Sequence, residues 1–166
     1  MTPKGPAHPR AIELIETLEL EPHPEGGFYR ELFRSEGLVA PADNRGHRSA
    51  LTTIYFLLTD DTYSRWHRVR SDEVWHLYEG GPLEVMELDA DCRTLSTHTL
   101  SAVDALGARP VHTVPAGTWQ AARSLGRYTL AGCTVGPGFD FADFELLAEQ
   151  TGNAAPDRHP AVKSFW

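Results

Sequence analysis

The chain has 166 residues, 41% hydrophobic and 23% charged, with 4 Trp, 5 Tyr and 7 Phe; this is ordinary globular composition with enough apolar mass for one core, and it excludes disordered and disulfide-stapled classes. The 15 Lys and Arg against 23 Asp and Glu leave a formal net charge of −8, a field that repels phosphate backbones and anionic lipid, so no nucleic acid and no membrane is expected as a partner. Cys92 and Cys133 have neither disulfide-framework nor metal-ligand spacing, and the first ten residues hold no apolar leader, so one cytoplasmic domain over residues 1–166 is the expectation.

In chain order, Ile12, Ile15 and Leu18 recur at helical spacing behind Pro9, which predicts a helix over 9–20. After the break at 21–27 the pattern changes to short runs rich in β-branched and aromatic residues, at 28–33, 51–58, 73–78, 83–88, 94–100, 111–114, 118–122 and 128–135. Turn signals such as Gly80-Gly81-Pro82, Pro115-Ala116-Gly117 and Gly136-Pro137-Gly138 separate them, at the spacing of about 8–12 residues expected of an all-β sandwich or barrel. The barrel is expected over about 25–138, with 37–49 as its most mobile insertion. Phe141, Phe144, Leu147 and Ala148 stand at helical spacing, which predicts a second short helix within a C-terminal region of 139–166. At its end Phe165 and Trp166 need cover, from the chain itself or from a second subunit.

The densest group of ionisable residues lies between Ser64 and Gly80. As two successive strands joined by a tight turn at 70–72, this stretch sets His67 opposite Glu73, about 5 Å apart at Cβ, the distance of a ligand pair or of a base and its orienting group. Period-two alternation puts Glu73, Trp75 and Leu77 on one face and Val74, His76 and Tyr78 on the other, so His76 joins the site only through a bulge. The remaining histidines, His8, His23, His47, His98, His112 and His159, lie in turns, polar stretches or a short strand and support no functional reading. Trp66, Trp75 and Trp119 line a pocket or fill the core. The glycines of Glu25-Gly26-Gly27-Phe28-Tyr29-Arg30 mark either a turn or a close backbone approach at the barrel mouth.

Glu73, six residues and Gly80, followed later by Pro115-Ala116-Gly117-Thr118-Trp119-Gln120, resemble the two motifs of the cupin superfamily. The stretches 25–30, 66–69, 72–76 and 136–141 resemble its small single-domain family catalogued as a domain of unknown function, and the likeness covers most of 11–148. It implies a double-stranded β-helix, or jelly-roll barrel, with an N-terminal helix and a short C-terminal helix, commonly a homodimer. Metal cupins hold their ion with three histidines and a glutamate. Here His67 and Glu73 match, Gln120 stands at the third histidine, and Arg68 and Val69 occupy the neighbouring places. The implied metal site is therefore degenerate, with His67, Glu73, Gln120 and at most His76 holding a weakly bound divalent ion.

The chain is also similar to the metal-free nucleotide-sugar epimerases of the superfamily, whose catalytic histidine follows a large apolar residue, as His67 follows Trp66. That likeness implies proton abstraction beside a carbonyl. His67 would be the base and Asp140 or Asp143 its orienting carboxylate. Arg30, Arg68 or Arg70 would contact an anionic group, and Tyr55, Tyr78 or Tyr128 would return the proton. The expectation is a barrel binding a small polar or anionic metabolite, with His67 and Glu73 catalytic and Arg30, Arg68, His76, Trp75, Gln120 and Tyr55 binding. The implied activity is of isomerase, epimerase or lyase type. The rivals are a non-catalytic ligand-binding or sensing module and a metal-dependent cupin enzyme such as an oxygenase.

Overall fold

In the computed structural model, which describes residues 8–104, 106–150 and 159–165, the period-two stretches form strands. These are β1 (Glu21–Pro22), β2 (Phe28–Arg34), β3 (Leu38–Val39), β4 (Arg48–Ser49), β5 (Thr52–Thr59), β6 (Tyr63–Val69), β7 (Asp72–Gly80), β8 (Leu83–Leu88), β9 (Leu95–Leu100), β10 (Val111–Val114), β11 (Trp119–Ser124), β12 (Tyr128–Gly136) and β13 (Phe144–Leu146). Antiparallel pairing orders them as a six-stranded sheet β1-β2-β5-β12-β7-β10 and a five-stranded sheet β13-β6-β11-β8-β9, with β3 and β4 a separate ribbon. The two sheets form a jelly-roll, the all-β class expected from the strand spacing.

β6 and β7 do not make the expected hairpin. The turn at Arg70–Ser71 carries the chain from the five-stranded to the six-stranded sheet, where β7 pairs with β12 and β10. His67 and Glu73 are therefore brought together through the barrel interior, not across a ladder.

Three apolar layers follow from this arrangement. Between the sheets, Phe56, Leu58, Trp75, Val85, Val114 and Ala131 form the central core. On the outside of the six-stranded sheet, helix α1 (Pro9–Thr17) buries Ala11 and Leu14 against Phe28, Leu57 and Leu130. It stops short of the predicted residue 20 because Glu19 takes a positive φ of 51° and β1 starts two residues later. On the outside of the five-stranded sheet, Trp66, Met86, Leu88 and Trp119 are covered by Leu147, Val162 and Phe165, the last two from a 3-10 turn over Pro160–Phe165. The Trp66 indole donates to the Ala161 carbonyl at 3.0 Å. Phe165 thus finds its cover within the chain, while Trp166 lies outside the described residues.

The short C-terminal helix is present but starts later than the aromatic spacing within 139–148 predicts. The chain instead makes a 3-10 turn (Phe141–Asp143), strand β13 and only then the short α2 (Leu147–Gln150). β13 pairs with the edge of β6, which satisfies more backbone than an isolated short helix would. The aromatic spacing that imitates a helical stripe is a cluster in which Phe139, Phe141 and Phe144 meet edge to face. Asp143 in turn anchors the 37–49 segment: Arg48 grips it bidentately at 2.8 and 2.9 Å and Arg45 binds it at 3.1 Å. Among the described residues no helix is long and apolar enough to cross a membrane.

Candidate functional site

A cavity of about 320 Å³ opens at one end of the barrel, with His67, Glu25 and Glu73 among its lining. A β-bulge sets up its floor. Opposite Gln120 and Ala122 of β11 stand His67 and Ser64 of β6, so β6 carries an extra residue there, and the irregularity turns both Ser64 and His67 inward while Trp66 points to the outer layer. His67 is 1% exposed. Its Nδ1 lies 2.8 Å from the Arg65 carbonyl and 3.3 Å from Ser64 Oγ. A carbonyl only accepts, so Nδ1 carries the proton and Nε2 keeps its lone pair. That lone pair stands 3.3 Å from Glu25 Oε2.

Glu25 is itself buried, and its other oxygen accepts from Ser64 Oγ at 2.7 Å. His23 closes the group, with Nδ1 accepting the Glu25 backbone N–H at 3.2 Å and lying 3.6 Å from Oε2. The paired glycines make this possible. Gly26 has φ +112°, and a Cβ there would fall 2.1 Å from the Tyr63 carbonyl; one on Gly27 would fall 2.7 Å from Leu58. Only glycine lets this segment press on β5 and β6, where Arg65 N–H donates to the Glu25 carbonyl at 2.8 Å.

Across the cavity, Glu73 is the end of a hydrogen-bonded chain. The Trp75 indole can only donate, so it faces Gln120 Oε1, at 2.9 Å; the Gln120 amide nitrogen then faces Glu73, donating at 2.6 Å. Burial pushes the carboxyls of both Glu25 and Glu73 up, and it pushes the His67 imidazolium down against the attraction of Glu73. The site thus favours a neutral imidazole between two carboxyl groups that hold their protons to higher pH than free glutamate does.

His67, Glu73, Gln120 and Trp75 therefore meet, as the sequence spacing leads one to expect, although Trp75 is a core side chain behind the site. The other expected contacts lie elsewhere. Arg30 is turned outward to Glu19. Arg68 pairs with Glu145 at 2.6 Å and covers the Trp119 ring at 4.5 Å. His76 stacks on Tyr78 on the outer face of the six-stranded sheet, and Tyr55 meets the same Tyr78 edge to face. Arg70 binds Asp43, and Tyr128 donates to Glu79. Asp143 belongs to Arg48 and Arg45, so the carboxylate beside His67 is Glu25; Asp140 reaches only the cavity lining. Strand alternation explains most of these placements. On β2, Tyr29 and Glu31 face the cavity and Arg30 does not, and a bulge between Glu31 and Phe33 then returns Arg34 to the cavity face.

The donor set at His67 does not fit the metal that cupins commonly carry. Val69 and Gln120 replace two imidazoles, and the one oxygen that Gln120 offers is taken by Trp75. Among the described residues, the imidazole and carboxylate atoms that converge within 4.8 Å of one another as a set of three belong to Glu87, His98 and His112. Sequence reasoning passed over Glu25, His23, Arg34 and this second cluster; of these, only Glu25 left a sequence signal, the glycine pair that follows it.

Known proteins resolve the family. Residues 12–147 match the family described as Cupin superfamily (DUF985). A hypothetical protein from Leishmania major is 33% identical and superimposes with a TM-score of 0.80, covering 93% of this chain and 97% of that one. A crystal structure of a protein from Shewanella oneidensis is 38% identical, with a TM-score of 0.73 over 81% of this chain and 82% of that one. Oxalate decarboxylase from Lactobacillus farciminis, in its formate complex, shares the fold at 20% identity and TM-score 0.53, over 80% of this chain and 36% of that one. No curated protein matches the sequence. With the jelly-roll, the Glu73–Gly80 motif and a family match over most of its length, the chain belongs to the DUF985 family of the cupin superfamily.

Proposed function

We propose that the cavity binds a small, neutral, polar carbonyl compound and that His67 moves a proton on the carbon beside the carbonyl, an isomerase- or epimerase-type reaction. The observation that carries this reading is the tautomer of His67: Nδ1–H on the Arg65 carbonyl and Nε2 facing a buried carboxyl at the base of the cavity. Nε2 takes the proton from carbon, and the protonated carboxyl of Glu73 or Glu25 gives its own to the carbonyl oxygen. The enol then forms beside an imidazolium–carboxylate pair with no change in net charge. For isomerisation the imidazolium gives its proton to the neighbouring carbon of the enediol while the carboxylate takes back the proton of the hydroxyl that becomes the new carbonyl; for epimerisation the enol first turns its other face to the imidazolium, and the carboxylate recovers the proton of the original carbonyl oxygen.

The lining supports a neutral substrate over an anionic one. Glu21, Glu31 and Asp140 border the cavity with Arg34, and Arg34 is already held by Glu31 and the Phe139 carbonyl. At about 320 Å³ the space sits at the small end of ligand pockets, which run from about 300 to 1,000 Å³. The test is exchange of carbon-bound hydrogen for deuterium, followed by NMR, with a panel of aldoses, ketoses and neutral hydroxyketones in D₂O. Exchange is expected with one of them and should fall by about 10²–10⁴-fold in His67→Ala. Saturable binding with no exchange on any member would replace the reading with that of a ligand-binding module.

A further inference from the structure

Glu87, His98 and His112 take no part in the His67 pocket, and they come from three strands that share no single ladder. Glu87 is on β8 and His98 on β9, the exposed edge of the five-stranded sheet, whereas His112 is on β10, the edge of the six-stranded sheet. The two imidazoles stack with centroids 3.8 Å apart and planes 19° from parallel. Both present Nε2 to the same carboxylate oxygen of Glu87: His98 at 3.5 Å, and His112 in direct contact. All three side chains are partly buried, with Glu87 16% and His98 40% exposed, so a bound ion would keep one side open to water.

Three lone-pair donors aimed at one point need positive charge between them. A proton satisfies one pair at a time; a divalent ion satisfies all three at once. Two imidazoles and one carboxylate form a donor set suited to zinc, cobalt, nickel or iron(II), whereas magnesium and calcium prefer oxygen ligands throughout. We propose that Glu87, His98 and His112 bind a divalent transition-metal ion that clasps the free edges of the two sheets together, at a site separate from the His67 pocket. The clasp adds an inter-sheet tie on the β9–β10 side, where the backbone link includes the isolated Leu100–Arg109 bridge and the Ser101 N–H to Arg109 carbonyl bond at 3.1 Å. By register the site also adjoins the relay behind Glu73, since His112 is the ladder partner of Trp75 and Glu87 that of Gln120.

The experiment is a titration of the full chain, stripped with a chelator, with Co²⁺, Ni²⁺ and Zn²⁺ alone. It is read by calorimetry, by the visible spectrum of the cobalt form and by the thermal midpoint. The expected result is one ion per chain and a raised midpoint, with both responses kept in His67→Ala. Because loss of mere outer-shell support already weakens metal sites by about 10–100-fold, His98→Ala and Glu87→Gln should each weaken binding at least that much. His98 is the most exposed of the three, so its variant keeps the fold and the test remains decisive if His112→Ala does not. No saturable binding at millimolar metal overturns the proposal, and so does stoichiometric binding that survives both His98→Ala and Glu87→Gln.

Discussion

The barrel holds two histidine–carboxylate groups that differ in how they manage charge. At His67 the imidazole is buried at the base of the cavity, one nitrogen is tied to a backbone carbonyl, and the neighbouring carboxyls are themselves buried. At His98 and His112 the rings lie between two sheet edges, partly open to solvent, beside a single carboxylate. In the first group burial disfavours charge on the imidazole and on both carboxyls. In the second, solvent and convergence leave room for a cation. The same residue types thus acquire opposite chemistry from their surroundings, and Trp75 and Gln120 stand between the two groups in register.

The strongest way to break this comparison is to remove the wall. Trp75 is 1% exposed, so Trp75→Ala should destabilise the chain by about 3–5 kcal/mol in chemical denaturation. Trp75→Phe keeps most of the packing and leaves only Gln120 Oε1 without its donor, at a cost of about 1–3 kcal/mol. Equal costs for the two would mean that the relay adds nothing beyond volume.

The next test uses pH. The Glu73 carboxyl is pushed up by burial, so the folded chain keeps its proton at pH values where the unfolded chain has lost it. The stability this contributes is complete below the ordinary glutamate value and is lost as pH rises through the raised one. Glu73→Gln, which keeps an acceptor for Gln120, should therefore gain stability relative to wild type on going from acidic to alkaline pH. Denaturant midpoints at both pH values check the sign, and a difference that does not change with pH contradicts a raised Glu73. His67 runs the other way: its lowered value makes acidification costly, and losing the attraction of Glu73 lowers it further in the variant, which adds to the same sign of the difference.

Smaller effects sharpen the contrast. Without metal, His98→Ala should shift stability by no more than about 0.5 kcal/mol, as for other partly exposed side chains. Arg30→Ala and Arg68→Ala should leave deuterium exchange unchanged, because both guanidinium groups lie outside the cavity. A large loss of exchange in either would return the substrate to the outer face of the sheet.

What the sequence made legible is what lies close along the chain. Glu73, Gly80 and the Pro115–Gln120 stretch declare the barrel because their spacing is that of one strand and its turns, and the alternation that hides His76 is local too. Glu25 was legible only through the glycine pair that follows it, not as a partner of His67. Its place beside His67 depends on two glycines fitting beneath β5 and β6 and on a bulge in β6, and no linear pattern announces a bulge. Asp143 looked like an orienting acid until the 37–49 segment brought two arginines to it. His98 and His112 lie in short strands of ordinary pattern and meet only because the sheets curl until their last strands touch. The C-terminal aromatics kept a helical spacing without the helix, since an open edge on β6 gave their backbone a better partner.

The passage of β6 and β7 into opposite sheets has a consequence for the order of assembly. His67 and Glu73 are near neighbours in the chain, yet neither sheet alone can bring them together; β6 must first dock on β11 and β7 on β12, both far along the sequence. Such long-range closures come late and slowly in folding. The buried His67–Glu73 group therefore does not exist in any half-formed barrel, and a signal from it during refolding would time the final joining of the two sheets.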